Sequence, residues 1–267
     1  MAAAVPNSST GKHVRIANLL VNGTIVSEDP FKGMTALQRI DAIYASLEPL
    51  TYVPPTNRWK HIPKTMQKLE QGPALTLVVL GDSIINDTCD SGFELLLGRM
   101  YPRCKVKKVT SVRSSTGCDW YKQENRVEQW VLKHQPDLLI IGGISNRGTD
   151  PADAAESVRE VVRQVRAARP ETEFLLMTGP FGLEQDPKRI KGWQENVTPD
   201  GADYRSRLMK VAQEERAESI DMHGLVGRYL LDSKYPCGSF QRDPIHANWR
   251  GKQVLGRILE KYFAPKQ

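Results

Sequence analysis

Cysteine is scarce and unpatterned in this chain of 267 residues: Cys89, Cys104, Cys118 and Cys237 form no CxxC pair. That spacing argues against a zinc site, and while it leaves room for one or two disulfides it demands none. Long apolar runs are missing as well. The longest, Leu75 to Leu80 with Thr76 inside it, is far too short to cross a bilayer, so no membrane partner is expected. There is no internal repeat and no low-complexity tract. The opening Met1-Ala-Ala-Ala-Val-Pro leads into a polar stretch without the long apolar core of a secretory signal. The compartment stays open: secreted or periplasmic if a signal has been removed, cytoplasmic otherwise. Charge of one sign is also not concentrated. The net charge is +6, from 37 basic and 31 acidic residues, and only Arg103-Cys-Lys-Val-Lys-Lys-Val gathers it. Such a stripe reads as the solvated face of a strand rather than a phosphate track, and no nucleic-acid partner is expected.

What is present is an ordinary globular composition, 40% apolar and 25% charged. A chain of this length buries roughly three-quarters of its unfolded surface, enough for a core without disulfides or metal. From about Leu75 onward, short β-branched runs alternate with helical patterns. Leu75–Leu80, Val106–Val112, Asp137–Ile141 and Glu173–Thr178 read as strands, with a short fifth at Ser219–Met222. Helices are predicted over Glu94–Met100, Glu124–His134, Pro151–Arg169, Asp203–Arg216 and Gly251–Phe263. Pro151–Arg169 is the clearest, with Val158, Val161, Val162 and Val165 on one face. This alternation implies parallel βαβ units in a three-layer α/β/α sandwich with a mostly parallel five-stranded sheet over residues 71–267. Residues 1–70 read as an N-terminal extension, packed on the main domain or forming a small accessory module. They carry a hairpin signal at Asn22-Gly23 and a predicted helix over Thr35–Leu47.

In open parallel sheets, sites form beyond the carboxyl ends of the strands, so the loops that follow them matter most. Gly81-Asp82-Ser83 ends the first strand at a sharp turn. Ser114-Ser-Thr-Gly117 follows the second, where small residues let a backbone N–H approach a ligand. Gly142-Gly-Ile-Ser-Asn146 follows the third, and Asp243-Pro-Ile-His246 precedes the last helix. Together these are the parts of acyl transfer. Ser83 would be the nucleophile, His246 the base that takes its proton, and Asp243 the carboxylate that orients the imidazole. The N–H groups of Ser83 and Gly117 and the side-chain amide of Asn146 would receive the oxyanion. Each piece alone is commonplace: Gly-Asp-Ser is an ordinary turn, and a lone Ser83 is more often a helix cap. Four such signals, in order and each after a strand or at the last loop, are not. His13, His61, His134 and His223 lack a comparable setting and read as surface or structural residues.

At this point the sequence resembles the SGNH/GDSL hydrolases. Gly81, Asp82 and Ser83 match their first block, Gly117 resembles the oxyanion glycine of the second, Gly143 and Asn146 match Gly-x-x-Asn, and Asp243 and His246 match Asp-x-x-His. The second block departs from the usual Asn-x-Gly-x-x-Gly, and the third reads Gly-Ile-Ser-Asn rather than Gly-x-Asn-Asp. The resemblance covers about residues 70 to 263. It implies a flavodoxin-like sandwich and ester hydrolysis by a Ser-His-Asp triad, with no cofactor and no metal.

Around the serine, Trp120, Tyr121, Trp193 and Trp249 are candidates for a substrate platform, while Arg147 and Arg242 are candidates to meet a substrate carboxylate. Aromatic platforms with polar neighbours suit sugar rings. The favoured partner is therefore an acylated carbohydrate, releasing acetate or another short acyl group. The alternatives are a lipase, lysophospholipase or thioesterase on longer chains, and an inactive carbohydrate-binding module of the same fold. The oligomeric state is not legible.

Overall fold

The structure, a computed structural model, describes residues 19–21, 24–27, 31–143, 150–180, 186–189 and 199–266. The chain divides into two compact units, Met1–Arg39 and Ile40–Gln267. In the first, β1 (Leu19–Val21) pairs antiparallel with β2 (Thr24–Ser27), Leu20 opposite Ile25 and Val21 opposite Thr24. This is the hairpin that Asn22-Gly23 implies, although those two residues lie outside the described ones. α1 (Ala36–Ala45) runs across the boundary between the units.

The second unit, Ile40–Gln267, includes a helix that the sequence hides. α2 (Pro63–Gln71) has few apolar residues, but Met66 and Leu69 are buried in the main core together with Leu47, Leu50 and Ile62. Its N-cap residue, Ile62, offers no side-chain acceptor for the first amides of the helix. They are satisfied from a strand far along the chain: the Glu173 carboxylate accepts from Lys64 N at 2.9 Å and Thr65 N at 2.7 Å. Glu218 does the same for His61 N at 2.8 Å.

The remaining elements alternate. β3 (Ala74–Gly81) is followed by α3 (Ser83–Cys89) and α4 (Phe93–Met100), then β4 (Lys105–Val112), α5 (Cys118–Tyr121) and α6 (Arg126–Trp130). After β5 (Leu138–Gly143) and α7 (Pro151–Ala168) come β6 (Glu173–Thr178), α8 (Pro199–Glu214), β7 (Glu218–Ile220), α9 (Met222–Asp232) and α10 (Trp249–Phe263). Five strands form one sheet in the order β4-β3-β5-β6-β7, all parallel. Side chains alternate across it with the period of two that a strand imposes. Leu75, Leu77 and Val79 join a core on one face with residues of α2, α3, α4, α9 and α10. Val78 and Leu80 join the other, with residues of α5, α6, α7 and α8.

The basic run falls on β4, an edge strand that is half-exposed along its length. Lysines on an edge strand discourage pairing with another chain. Lys108 turns inward to Glu94 at 2.6 Å. The helix predicted over Glu124–His134 is split: α6 ends at Trp130 and Leu132–His134 is a tight 3-10 turn. Pro136 lies just beyond and disfavours a helical residue before it. α9 has a weak signal in the sequence, because Gly224 and Gly227 dilute its pattern.

On α9, His223 is buried, its backbone N–H donating to Thr178 Oγ1 at 3.0 Å. Burial, aided by the charge of Arg205, pushes its imidazole down to about 4. The unfolded chain therefore takes up a proton near pH 6.5 that the native state refuses, and this contribution to stability is present above pH 6.5 and lost as pH falls toward 4. Between pH 7 and 4.5 the wild type is expected to lose about 2–3 kcal/mol more than His223→Gln in urea unfolding. Equal losses would show that His223 carries no such linkage.

Candidate active site

The chain leaves β3 for the edge strand β4, then returns across β3 to lay down β5 on the other side. The connections diverge between β3 and β5, and a crevice opens at their carboxyl ends. Gly81-Asp82-Ser83 stands at its lip. Asp82 is the N-cap of α3: its buried carboxylate accepts from Ile84 N at 2.8 Å. Burial pushes this carboxyl up, opposed by the amides of Ile84 and Ile85. Ser83 is the first residue of the helix and partly exposed, with an amide that has no acceptor within the helix. The turn is tight. A Cβ on Gly81 would lie 2.5 Å from Ile85 Cγ2, and one on Gly142, at the end of β5, would lie 2.6 Å from Ile85 Cδ1. The carbonyl of Gly81 is held from the neighbouring loop by Arg113 N at 3.0 Å and the Tyr121 hydroxyl at 2.7 Å.

The loop before α10 closes on this turn. Gln241 and Ala247 form an antiparallel bridge, Arg242 N donates to His246 O at 3.0 Å, and Asn248 caps α10 by accepting from Arg250 N at 2.9 Å. Within the loop, Asp243 Oδ1 accepts from Ile245 N at 3.0 Å and His246 N at 2.9 Å. Both Asp243 oxygens lie 2.9 Å from His246 Nδ1, and His246 Nε2 lies 2.9 Å from Ser83 Oγ. Although burial pushes the Asp243 carboxyl up, the two amides and the imidazole hold it below the usual carboxylate range. It is thus an anion that fixes the Nδ1–H tautomer and leaves Nε2 to accept from the serine. The arrangement can take a proton from Ser83 and return it to a leaving group.

The other expected site residues fare differently. Asn146, Arg147 and Trp193 lie outside the described residues. Gly117 is the N-cap of α5 in an extended conformation, φ −106°; the left-handed residue of that loop is Ser115, φ 54°. Trp120 is already engaged, with the guanidinium carbons of Arg113 and Arg126 at 4.5 and 4.0 Å from its ring and Tyr121 and Trp130 edge-on. Tyr121 is fully buried. Its hydroxyl is spent on Gly81, so it supports the turn rather than forming part of a platform. Arg242 is taken up by Asp87 at 2.9 Å and by the carbonyl of Ala247 at 3.3 Å instead of facing an open cleft. Trp249, on the first turn of α10, is half-exposed with the Arg250 guanidinium carbon 4.9 Å from its ring. The four cysteines are free and buried, and burial pushes the Cys118 thiol up to about 12, so no thiolate competes with Ser83. Asp87 was missed by sequence reasoning. The available signal was its spacing of four from Ser83, which puts both on one helical face.

Comparison with known proteins agrees with the fold and gives the family. A two-domain esterase active on acetylated mannans superposes with a TM-score of 0.61 at 16% identity, over 77% of this chain and 52% of that one. The chain therefore spans about half the length of that protein. Axe2, an acetylxylan esterase from Geobacillus stearothermophilus, gives 0.57 at 19% identity over 75% of this chain and all of its own. The acetyl xylan esterase AlAXEase gives 0.54 at 17%, over 69% and 98%. Likeness at these identities is likeness of fold. No curated protein sequence matches the chain. Residues 79–254, from inside β3 to inside α10, match the GDSL-like lipase/acylhydrolase family, and the chain belongs to that family.

Proposed function

We propose that the protein is a serine esterase that removes short acyl groups, acetyl above all, from a carbohydrate. One observation carries the reading: the hydrogen-bonded chain from Ser83 Oγ through His246 to Asp243, with 2.9 Å at each link, at the crevice of the sheet. In the reaction, Ser83 Oγ attacks the ester carbonyl carbon while His246 Nε2 takes the hydroxyl proton. Asp243 holds Nδ1–H and offsets the imidazolium charge. The tetrahedral oxyanion is received by the N–H groups of Ser83 and Gly117 and by the amide of Asn146. Collapse expels the sugar hydroxyl, protonated by His246, and leaves an acyl-serine. Water then repeats the sequence, with His246 as base, to release the acid.

The carbohydrate part of the reading is supported by the neighbours that act on acetylated mannan and acetylxylan. Trp249, exposed on the helix that begins just after His246, is, among the described residues, the remaining aromatic candidate for a sugar face. A second reading has its own observation. An apolar hollow lined by Pro180, Val226, Ile245, Ala247, Val254 and Leu255 adjoins the loop that carries His246. That lining would also suit a longer acyl chain.

p-Nitrophenyl acetate is expected to be turned over by the wild type and lost in Ser83→Ala by roughly 10⁴–10⁶-fold in kcat, with chelator making no difference. A mutant as active as wild type would remove Ser83 from the mechanism. Across p-nitrophenyl esters of increasing length, kcat/KM is expected to peak at acetate to butyrate; a peak beyond about C6 would favour the second reading. Tyr121→Phe is expected to leave KM unchanged and to lower stability by about 1 kcal/mol, the worth of one buried hydrogen bond. A raised KM would return Tyr121 to the substrate site.

A further inference from the structure

α3 presents a second polar group on the face of Ser83. Asp87 is one helical turn further on, and its side chain is 1% exposed. A carboxylate so buried is costly unless its oxygens are all engaged. They are engaged by the loop that carries the base. Oδ2 accepts from Ala247 N at 2.7 Å, Oδ1 takes Arg242 Nη1 at 2.9 Å, and Lys252 Nζ of α10 stands 3.5 Å away. Arg242 and Ala247 are the residues immediately flanking the Asp243–His246 segment. Apart from the Ser83–His246 bond itself, the hydrogen bonds that join residues 242–247 to α3, among the described residues, are those of Asp87. The Asp243–His246 pair is local to its loop and cannot set the distance to a serine 163 positions away.

We propose that Asp87 is a positioning residue: it clamps both flanks of the base-bearing loop to the nucleophile's helix and so fixes the gap between His246 Nε2 and Ser83 Oγ. The inference rests on the esterase reading above. The same contact disposes of a competitor. Arg242 Nε stands 3.6 Å from Asp243 Oδ2, and the Asp87 carboxylate, 2.9 Å from Arg242 Nη1, is the closer partner that keeps the guanidinium from competing more strongly with His246 Nδ1. With Asp87 neutral, Arg242 gains by turning to Asp243, and the imidazole loses its orienting partner.

The test uses Asp87→Asn and, because a change at a buried site can prevent folding, Arg242→Met at a half-exposed one. Asp87→Asn is expected to lower kcat on p-nitrophenyl acetate by about 10²-fold, as a misplacement of about 1 Å does. KM should change little, and amide hydrogen exchange over residues 242–248 should quicken while the sheet stays protected. Arg242→Met should move both readouts in the same direction, less far, and adding it to Asp87→Asn should cost little more. Wild-type kcat in a folded Asp87→Asn protein, or in Arg242→Met if the first does not fold, would overturn the proposal. So would a raised KM with kcat intact, which would assign Asp87 to binding. Should the wild type show no esterase turnover at all, the esterase reading fails, and the exchange measurement still decides the clamp: quickened exchange supports it, unchanged exchange overturns it.

Discussion

Ile85 packs where two strands end without side chains of their own. A Cβ on Gly142 would lie 2.7 Å from Ile85 Cβ, and one on Gly81 2.5 Å from Ile85 Cγ2, both closer than carbon atoms tolerate. The bare backbone at the ends of β3 and β5 therefore lets the first turn of α3 sit directly on the point where the crossovers diverge. Everything chemical at the site depends on that close approach. It sets Ser83 at the lip of the crevice, turns Asp87 toward the loop before α10, and leaves the carbonyl of Gly81 to be tied by Arg113 and Tyr121. Bulk at either glycine would push α3 outward, and the nucleophile would move with it.

A second regularity runs through the molecule. Several of its buried or half-buried carboxylates accept from backbone amides, whereas Glu215, among the described residues, is held by three arginines. Asp82 accepts from Ile84 N, Asp87 from Ala247 N, Asp137 from Thr76 N, Glu173 from Lys64 N and Thr65 N, Glu218 from His61 N, and Asp243 from Ile245 N and His246 N. The physics is reciprocal. A carboxylate out of water needs donors, and amides at loop corners and helix starts need acceptors. Each pairing satisfies both needs and fixes a backbone position in a way that apolar packing, which is non-directional, does not. Two of these pairings, at Glu173 and Glu218, fasten the 61–65 segment to the amino end of the sheet. Two others, at Asp87 and Asp243, shape the loop of the candidate base.

What could be read from the sequence followed from periodicity and punctuation. The strands of the parallel sheet are apolar on both faces because helices cover both, so Leu75–Leu80 and Asp137–Ile141 stood out as continuous runs. Pro151–Arg169 stood out because its valines recur with the helical period. The elements that escaped are those whose local signal is weak and whose stability is tertiary. α2 has two buried apolar residues, and its first amides are capped by a glutamate 108 or more residues distant. α9 carries two glycines. The candidate site was legible for a related reason: an open parallel sheet sends every strand-end loop to one edge, so Ser83, Gly117, Asp243 and His246 could be placed near one another from their order alone.

The limit of that reasoning is the use to which each side chain is put. Tyr121 and Arg242 stand beside the site in sequence, and only the fold shows one spent on a carbonyl of the turn and the other on a buried carboxylate. Asp87 sits four residues from Ser83, but its meaning depends on a loop some 155 residues away. The sequence by itself determined the alternation of strand and helix, the parallel sheet and the kinds of group available at its edge, because these follow from local patterns of period 2 and 3.6 and from turn residues. Tertiary structure alone decided which donor meets which acceptor and how the base is held to the nucleophile. Those are contacts between segments far apart in the chain, where directional hydrogen bonds and close packing, rather than local propensity, choose the partner.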